Sequence, residues 1–226
     1  MFDRRLRPLK DMLITPLAIP IGRILSPNEV SLLAFAVGMA CMVTVACDLP
    51  VTAMVLWALN RVFDGLDGLI ARKSGRASDA GGYLDIVLDF LVYAGIPLAM
   101  TWAEPGLAFL CAVMLASFYI NSASWMYLSA LLEKHGKGAT DRGEATSVSM
   151  PAGIVEGSET IVFYTLMILA PTWRSTLFLM LAGLTILGAA LRFYQGFRLL
   201  LWMDKESALR NGDPKNQFSD FASKIG

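Results

Sequence analysis

Four aspartates are the residues of this sequence whose type and spacing could do chemistry: Asp64, Asp67, Asp85 and Asp89, within 60–90. The segments that carry them are otherwise apolar enough to be membrane helices. A carboxylate at membrane depth is strongly disfavoured unless it is paired, binds a cation or faces a water-filled cavity. On helices, residues three or four apart share one face, so each pair of aspartates presents its carboxylates together. Two such faces opposed across a loop predict a cage for divalent cations.

The ligand chemistry of this cage favours a hard cation. Carboxylate oxygens suit Mg²⁺, which binds proteins through a few carboxylates together with substrate phosphates. The cysteines nearest in sequence, Cys47 and Cys111, lie in apolar runs, and the single histidine, His135, lies in a charged loop. Neither type is therefore expected at the site, and Mg²⁺ fits better than Zn²⁺.

Small residues surround the aspartates and leave room for a bulky ligand. Gly68, Ala71 and Gly81 allow a helix or a phosphate to approach closely, and close helix packing alone explains them equally well. Arg72 follows at the polar end of its segment, where its guanidinium could clamp a phosphate.

The elements that position these residues are predicted to be membrane helices. The chain has 226 residues, a mean hydropathy of +0.55, 55% hydrophobic and 17% charged residues, which excludes an ordinary soluble domain and favours an all-α membrane protein. With a net charge of zero, no nucleic-acid partner is expected.

Residues 1–25 form a basic amphipathic segment that lies on the membrane surface and could break at Pro16 or Pro20. Residues 26–203 form a transmembrane catalytic domain, and residues 204–226 form a polar cytoplasmic tail.

Six transmembrane helices are predicted within this domain, at 26–47, 49–71, 79–103, 107–132, 153–170 and 175–202. Lys and Arg concentrate in the N-terminal segment, in the second-to-third and fourth-to-fifth connections and after the sixth helix, and only Arg174 lies in a connection on the other side. The positive-inside rule therefore places both termini in the cytoplasm. The polar halves of the second, third and fifth helices fall on that same side. This arrangement predicts a polar chamber in the inner leaflet of the membrane that opens to the cytoplasm.

The motif as a whole resembles the signature of a known family. Asp64, Asp67-Gly68, Ala71-Arg72, Gly81, Asp85 and Asp89 fill every signature position of the CDP-alcohol phosphatidyltransferases, and the layout of six helices, three of them half-polar, is also similar. The resemblance to a bacterial inner-membrane branch of the family, described below, implies a bacterial-type inner membrane. The resemblance implies that an acceptor hydroxyl attacks the β-phosphorus of a CDP-linked lipid such as CDP-diacylglycerol and releases CMP. Membrane lipids and a second copy of the chain, in a homodimer, are the other partners implied.

The resemblance also implies roles for the signature residues. Asp64, Asp67 and Asp85 would hold two Mg²⁺ or Mn²⁺ ions, with Asp89 contributing and acting as the base for the acceptor. The nucleotide would be bordered by Asp64, Gly68, Ala71, Arg72 and Gly81. A carboxylate among cations stays ionised, so Asp89 would act mainly through its position.

A second polar run, from Glu156 to Thr160, is a candidate for binding the acceptor alcohol. Glu156 and Glu159 are expected on one helical face, and the chain also resembles a poorly characterised bacterial inner-membrane branch of the family with a similar EGxET run. Acidic and hydroxyl groups suit a neutral or cationic alcohol, and the run contains no basic cluster for a phosphorylated one. Pairing of these glutamates with Lys137, Arg142 or Arg192 is an equal alternative. Asn121 is a further candidate for acceptor binding, although interhelical hydrogen bonding also explains it.

A divalent-cation transporter is the alternative from another functional class. Transporters often have paired repeats with broken helices in both halves, whereas the acidic residues here lie in three helices without such symmetry. A degenerate family member kept as a structural subunit is disfavoured because no signature aspartate is missing. The sequence therefore favours an enzyme.

Overall fold

A computed structural model of the protein describes residues 3–136 and 153–210, and this part is helical apart from short connections, with no strand. The all-α prediction is confirmed for these residues. The helices, in order, are α1 (Asp3–Ile24), α2 (Pro27–Ala46), α3 (Pro50–Lys73), α4 (Asp79–Ala103), α5 (Ala108–Lys134), α6 (Gly157–Leu169) and α7 (Arg174–Arg210).

Four stretches of the described chain are long and apolar enough to cross a membrane: Pro27–Ala46, Asp79–Ala103, Pro105–Lys134 and Pro171–Ser207. Helix α3 does not meet this criterion because it carries the charged residues of the predicted site. Helix α6 does not meet it because it has only 13 residues. The count of six spans therefore stays a prediction.

The helix starts show why the chain folds as it does next to the site. Ser26 caps α2 in a capping box with Glu29, as the sequence predicted, and Pro27 occupies the first turn. Ser78 caps α4, where its hydroxyl accepts a hydrogen bond from the Gly81 N–H at 3.1 Å. The predicted span at 79–103 coincides with α4.

Helices α2, α3 and α4 pack together and form the framework of the site. The largest buried side chains belong to a core that these helices share with α5, α6 and α7, and they include Trp57, Ile96, Met100, Tyr164, Phe178 and Leu181. A smaller core joins α1 to α3 through Ala18, Leu66, Leu69 and Ile70. Helix α1 runs unbroken through Pro16 and Pro20, so no break occurs at the prolines.

The one basic residue predicted on the opposite side of the membrane is buried and paired. Arg174 donates a hydrogen bond from Nε to the Met167 carbonyl at 3.0 Å and lies 3.7 Å from a Glu104 carboxylate oxygen and 4.0 Å from an Asp48 oxygen. These acidic residues belong to the α2–α3 and α4–α5 turns. Three connections are thus joined at the end of the bundle away from the aspartates.

Two predicted boundaries differ from the structure. Helix α6 begins at Gly157 rather than at Gly153, because Glu156 is its N-cap. Helix α7 continues through Arg210, into the segment predicted as a tail. Lys137, Arg142 and the tail beyond Arg210 lie outside the described residues.

Candidate active site

Three of the four aspartates line one cavity between α2, α3 and α4. The cavity is small and partly open, and its lining residues are Ser31, Ala34, Phe35, Asn60, Asp67, Asp85, Leu88, Asp89 and Val92. Asp67 of α3 therefore faces Asp85 and Asp89 of α4 across this cavity, whereas Asp64 lies outside its lining.

Asp67 is the most buried of the four aspartates, with 4% of its surface exposed. Its Oδ2 accepts a hydrogen bond from the Ser31 hydroxyl at 2.6 Å, and its Oδ1 accepts one from the Gly68 N–H. The Ser31 oxygen also lies 3.2 Å from the Pro27 carbonyl, but its single proton serves the shorter, charge-assisted contact. Both carboxylate oxygens are thus oriented by neighbouring groups.

Asp64 and Asp89 share a cationic partner, the guanidinium of Arg61. Its Nη2 lies 3.1 Å from Asp89 Oδ1, and its Nη1 lies 3.6 Å from Asp64 Oδ2. Arg61 itself is 9% exposed. A buried guanidinium needs such partners, because an unpaired charge in this environment is strongly destabilising.

The residues that line the cavity have the chemical groups that a hard cation prefers. Their carboxylates, however, do not converge on one point. Among residues 3–136 and 153–210, no three Asp, Glu, His or Cys side chains converge closely enough to hold an ion. The donors that line the cavity are carboxylate, hydroxyl and amide oxygens, with neither imidazole nor thiol. Binding of a cation by three carboxylates therefore requires the side chains around Arg61 to rearrange.

The small residues predicted to border a nucleotide lie against specific neighbours. A Cβ added at Gly68 would stand 3.1 Å from Arg72 Nη1, so the exposed Arg72 side chain folds back over this glycine. At Gly81, an added Cβ would stand 3.1 Å from Asn28 Oδ1. Ala71 is half-buried next to Arg72. The close approach at Gly81 joins α4 to the start of α2, whereas the space at Gly68 accommodates a guanidinium.

The prediction that Glu156 and Glu159 share one helical face is wrong. Glu156 precedes the helix as its N-cap, and Glu159 accepts a hydrogen bond from the Glu156 N–H at 3.0 Å, so the two residues form a capping box. The Ser158 hydroxyl also donates to Glu159 at 3.0 Å. The helix begins after Glu156 because this reciprocal cap satisfies N–H groups that the first turn leaves unpaired.

Asn121 forms an interhelical contact with α7. Its Oδ1 accepts a hydrogen bond from Arg192 Nη1 at 2.8 Å, and the Ser124 hydroxyl lies 3.3 Å from the same nitrogen. Arg192 also interacts electrostatically with Glu156. Of the three cations considered as partners for the glutamates, Arg192 is the one within the described residues. Asn121, Glu156 and Glu159 lie outside the lining of the aspartate cavity.

Three residues of the site were missed by the sequence reasoning: Ser31, Asn60 and Arg61. Arg61 precedes Asp64 by three residues, and this spacing could have indicated an ion pair on one helical face. Ser31 lies 36 residues before Asp67 and on another helix, so no local pattern reveals their contact.

Comparisons with known proteins identify the family of the chain. A family model described as CDP-alcohol phosphatidyltransferase matches residues 24–191. The chain is 32% identical over 213 residues to the inner membrane protein YnjF of Escherichia coli K12, covering 91% of this chain and 100% of that protein. It is also 33% identical over 100 residues to the bifunctional IPC transferase and DIPP synthase of Thermococcus kodakarensis, covering 40% of this chain and 23% of that protein.

Solved structures share the fold at lower sequence identity. The phosphatidylinositol phosphate synthase PgsA1 of Mycobacterium tuberculosis with CDP-DAG bound superposes with a TM-score of 0.65 at 18% identity, covering 82% of this chain and 94% of that one. A second PgsA1 structure, in complex with manganese and citrate, gives a TM-score of 0.64 at 19% identity and covers 81% and 88% of the two chains. The fold of this chain is therefore the fold of that synthase.

Proposed function

Because this chain belongs to the CDP-alcohol phosphatidyltransferase family, we propose that it transfers a phosphatidyl group from CDP-diacylglycerol to the hydroxyl of a small alcohol. Membership makes it a membrane-bound phosphotransferase. The observation that carries the proposal is the cavity between α2, α3 and α4, where three signature aspartates from two helices face one another. The CDP-DAG named for the PgsA1 structure supports the choice of donor.

The proposed reaction is a single displacement at phosphorus. The acceptor oxygen forms a bond to the phosphorus that carries the lipid, and the bond from that phosphorus to the bridging oxygen of CMP breaks. CMP leaves with the electron pair of that bond. Asp89 takes the proton of the attacking hydroxyl, and its place at the cavity, next to Asp85, suits this role.

Asp64, Asp67, Asp85 and Asp89 are proposed to hold two divalent cations, Mg²⁺ or Mn²⁺. When bound, such ions neutralise charge on the pyrophosphate and favour in-line attack. The manganese named for PgsA1 supports a metal of this class. The Ser31 hydroxyl donates a hydrogen bond to Asp67 and so orients that carboxylate for binding a metal ion. Gly68, Ala71, Arg72 and Gly81 are proposed to border the nucleotide.

The proposed topology has six spans, α2 to α7, with α1 on the membrane surface and both termini and the site facing the cytoplasm. Helix α3 has 24 residues and so is about 36 Å long, which is enough to cross the hydrocarbon core. Helix α6, at about 20 Å, reaches only part of the way, and the non-helical 153–156 segment would complete the crossing. A homodimer is proposed from the resemblance to the family. Its location in the inner membrane is proposed from the YnjF relative.

We propose a neutral or cationic acceptor over a phosphorylated one. Glu156 is the N-cap of α6 and Glu159 lies in its first turn. Arg192 donates a hydrogen bond to Asn121, lies 3.3 Å from the Ser124 hydroxyl and interacts electrostatically with Glu156. Within its described residues, α6 carries no Lys or Arg that could bind an acceptor phosphate.

The proposal is tested with purified protein in detergent. The assay supplies CDP-diacylglycerol, Mg²⁺ or Mn²⁺ and a panel of polyols, amino alcohols and phosphorylated alcohols, and it measures CMP release. Asp67→Asn and Asp89→Asn should abolish release while the thermal unfolding profile stays that of a folded protein. Asp79→Asn is the matched control, because Asp79 is an exposed aspartate of α4 outside the cavity.

Retained turnover in both cavity variants would refute the assigned roles. Uptake of Mn²⁺ into vesicles that contain the protein, without CMP release, would instead support the transporter alternative. Use of a phosphorylated alcohol alone would contradict the proposed acceptor class and leave the reaction type intact.

A further inference from the structure

Arg61 is a buried cation placed among the signature aspartates. It lies in α3 and is 9% exposed, and its guanidinium is 3.1 Å from Asp89 and 3.6 Å from Asp64. Its spacing to Asp64 is local, but its contact with Asp89 joins α3 to α4. One fixed positive charge thus serves two of the four carboxylates that the proposed reaction needs.

The scaffold, and not the carboxylates alone, sets the position of this guanidinium. Nε donates to Asn60 Oδ1 at 2.8 Å, and Nη1 donates to the Tyr93 hydroxyl at 2.8 Å. The guanidinium carbon lies 4.7 Å from the centre of the Trp57 ring and 4.9 Å from that of Tyr93. Aromatic faces attract a cation at such distances. Arg61 is therefore held beside the cavity by contacts that do not involve the aspartates.

This placement has an electrostatic consequence for the cluster. Carboxylates that share a poorly hydrated site repel one another, and a guanidinium between two of them relieves that repulsion. It lies within ion-pair distance of one oxygen of each carboxylate, so a metal ion that bound through these oxygens would have to displace it. The absence of three converging acidic groups among residues 3–136 and 153–210 agrees with this arrangement.

We infer that Arg61 is the internal counter-cation of the aspartate cluster, a positioning residue that holds Asp64 and Asp89 in the metal-free protein and competes with a divalent cation for them. The inference rests on the metal site of the proposed function. It predicts that the positive charge of Arg61 stabilises the metal-free protein and weakens metal binding. A residue that served only to pack against Trp57 and Tyr93 would affect stability without changing metal affinity.

The test measures Mn²⁺ affinity, from the electron paramagnetic resonance signal of free Mn²⁺, on the purified full chain without substrate. Arg61→Gln removes the charge and keeps a polar side chain, and it should bind Mn²⁺ at least about tenfold more tightly, which corresponds to about 1.4 kcal/mol. Arg61→Lys keeps the charge but loses the planar donor fork, and its Mn²⁺ affinity should stay closer to that of the wild type than to that of Arg61→Gln. An unchanged or weaker affinity of Arg61→Gln would overturn the inference.

Thermal unfolding provides a second measurement and covers the case in which Arg61→Gln folds poorly. Metal-free Arg61→Gln should melt below the wild type, and Mn²⁺ should raise its melting temperature more than that of the wild type. The double variant Arg61→Gln/Asp64→Asn removes one charge of each sign and should recover part of the metal-free stability. If the double variant is no more stable than Arg61→Gln, the role of Arg61 is packing and the inference fails.

The outcomes separate this inference from the proposed function. If wild-type protein binds no Mn²⁺, the proposed metal site fails and the inference falls with it. If wild type and Arg61→Gln bind Mn²⁺ equally, the inference alone fails.

Discussion

Replacing Ser31 with alanine should weaken metal binding although every signature residue is kept. The Ser31 hydroxyl is 2.6 Å from Asp67 Oδ2, and Ser31 itself is 6% exposed. Alanine removes this donor and leaves one buried carboxylate oxygen without it. Because Ser31 belongs to α2 and Asp67 to α3, the substitution also loosens the register between the two helices at the cavity.

The size of the effect follows from the type of hydrogen bond. A hydrogen bond to a charged group contributes roughly 1.5–3 kcal/mol, and a residue that orients a metal ligand typically contributes about 10- to 100-fold in metal affinity or activity. We therefore expect Ser31→Ala to need about 10- to 100-fold more Mn²⁺ for half-maximal CMP release. The rate at saturating Mn²⁺ should fall less, because excess metal restores occupancy.

The assay is a Mn²⁺ titration of CMP release, with thermal unfolding measured in parallel. Ser117→Ala is the matched control, because Ser117 is also buried, 1% exposed, and its hydroxyl donates to the Met114 carbonyl of its own helix at 2.6 Å. That control should leave the Mn²⁺ dependence unchanged. Identical Mn²⁺ titrations for Ser31→Ala and Ser117→Ala would refute the reasoning, since both variants lose a buried hydroxyl and only one loses a contact to Asp67.

Three further predictions address other parts of the chain. Gly68→Ala should raise the KM for CDP-diacylglycerol severalfold, because the new Cβ would stand 3.1 Å from Arg72 Nη1, whereas Gly106→Ala, with nothing within 4 Å, should not; equal KM values would contradict this. Arg174→Met should lower the free energy of unfolding by about 1–3 kcal/mol, measured by thermal unfolding, because a buried donor to a carbonyl is lost; an unchanged melting temperature would argue against it. Glu159→Gln keeps an oxygen that can cap α6, so the fold should persist and the KM for the acceptor should change more than that for the donor; a change confined to the donor would place this residue elsewhere.

Local spacing explains why much of the fold and the site could be predicted. The bounds of α4 and the cap of α2 depend on residues within one or two helical turns, and these are visible in the sequence. The same locality caused the error at α6. A glutamate three residues before another one has the spacing of a shared helical face and also that of a capping box. Only the backbone distinguishes the two, because the N-cap residue is not helical.

Longer-range contacts account for what could not be predicted. Ser31 with Asp67, Arg61 with Asp89 and Arg174 with Glu104 each join residues from different elements. Whether two helices bring such residues together depends on how each helix is rotated and tilted against its neighbours. That rotation results from packing of the whole bundle.

The sequence by itself determined the class of the protein and the pairing of aspartates on two helical faces, because hydropathy and helical periodicity are local properties. It also determined the family, because the signature is a matter of residue types and spacing. The tertiary structure decided that these faces meet at one cavity, that Ser31 orients Asp67 and that Arg61 stands between Asp64 and Asp89. These contacts exist only once α2, α3 and α4 are packed, since their distances are set by helix packing and by the burial of charge.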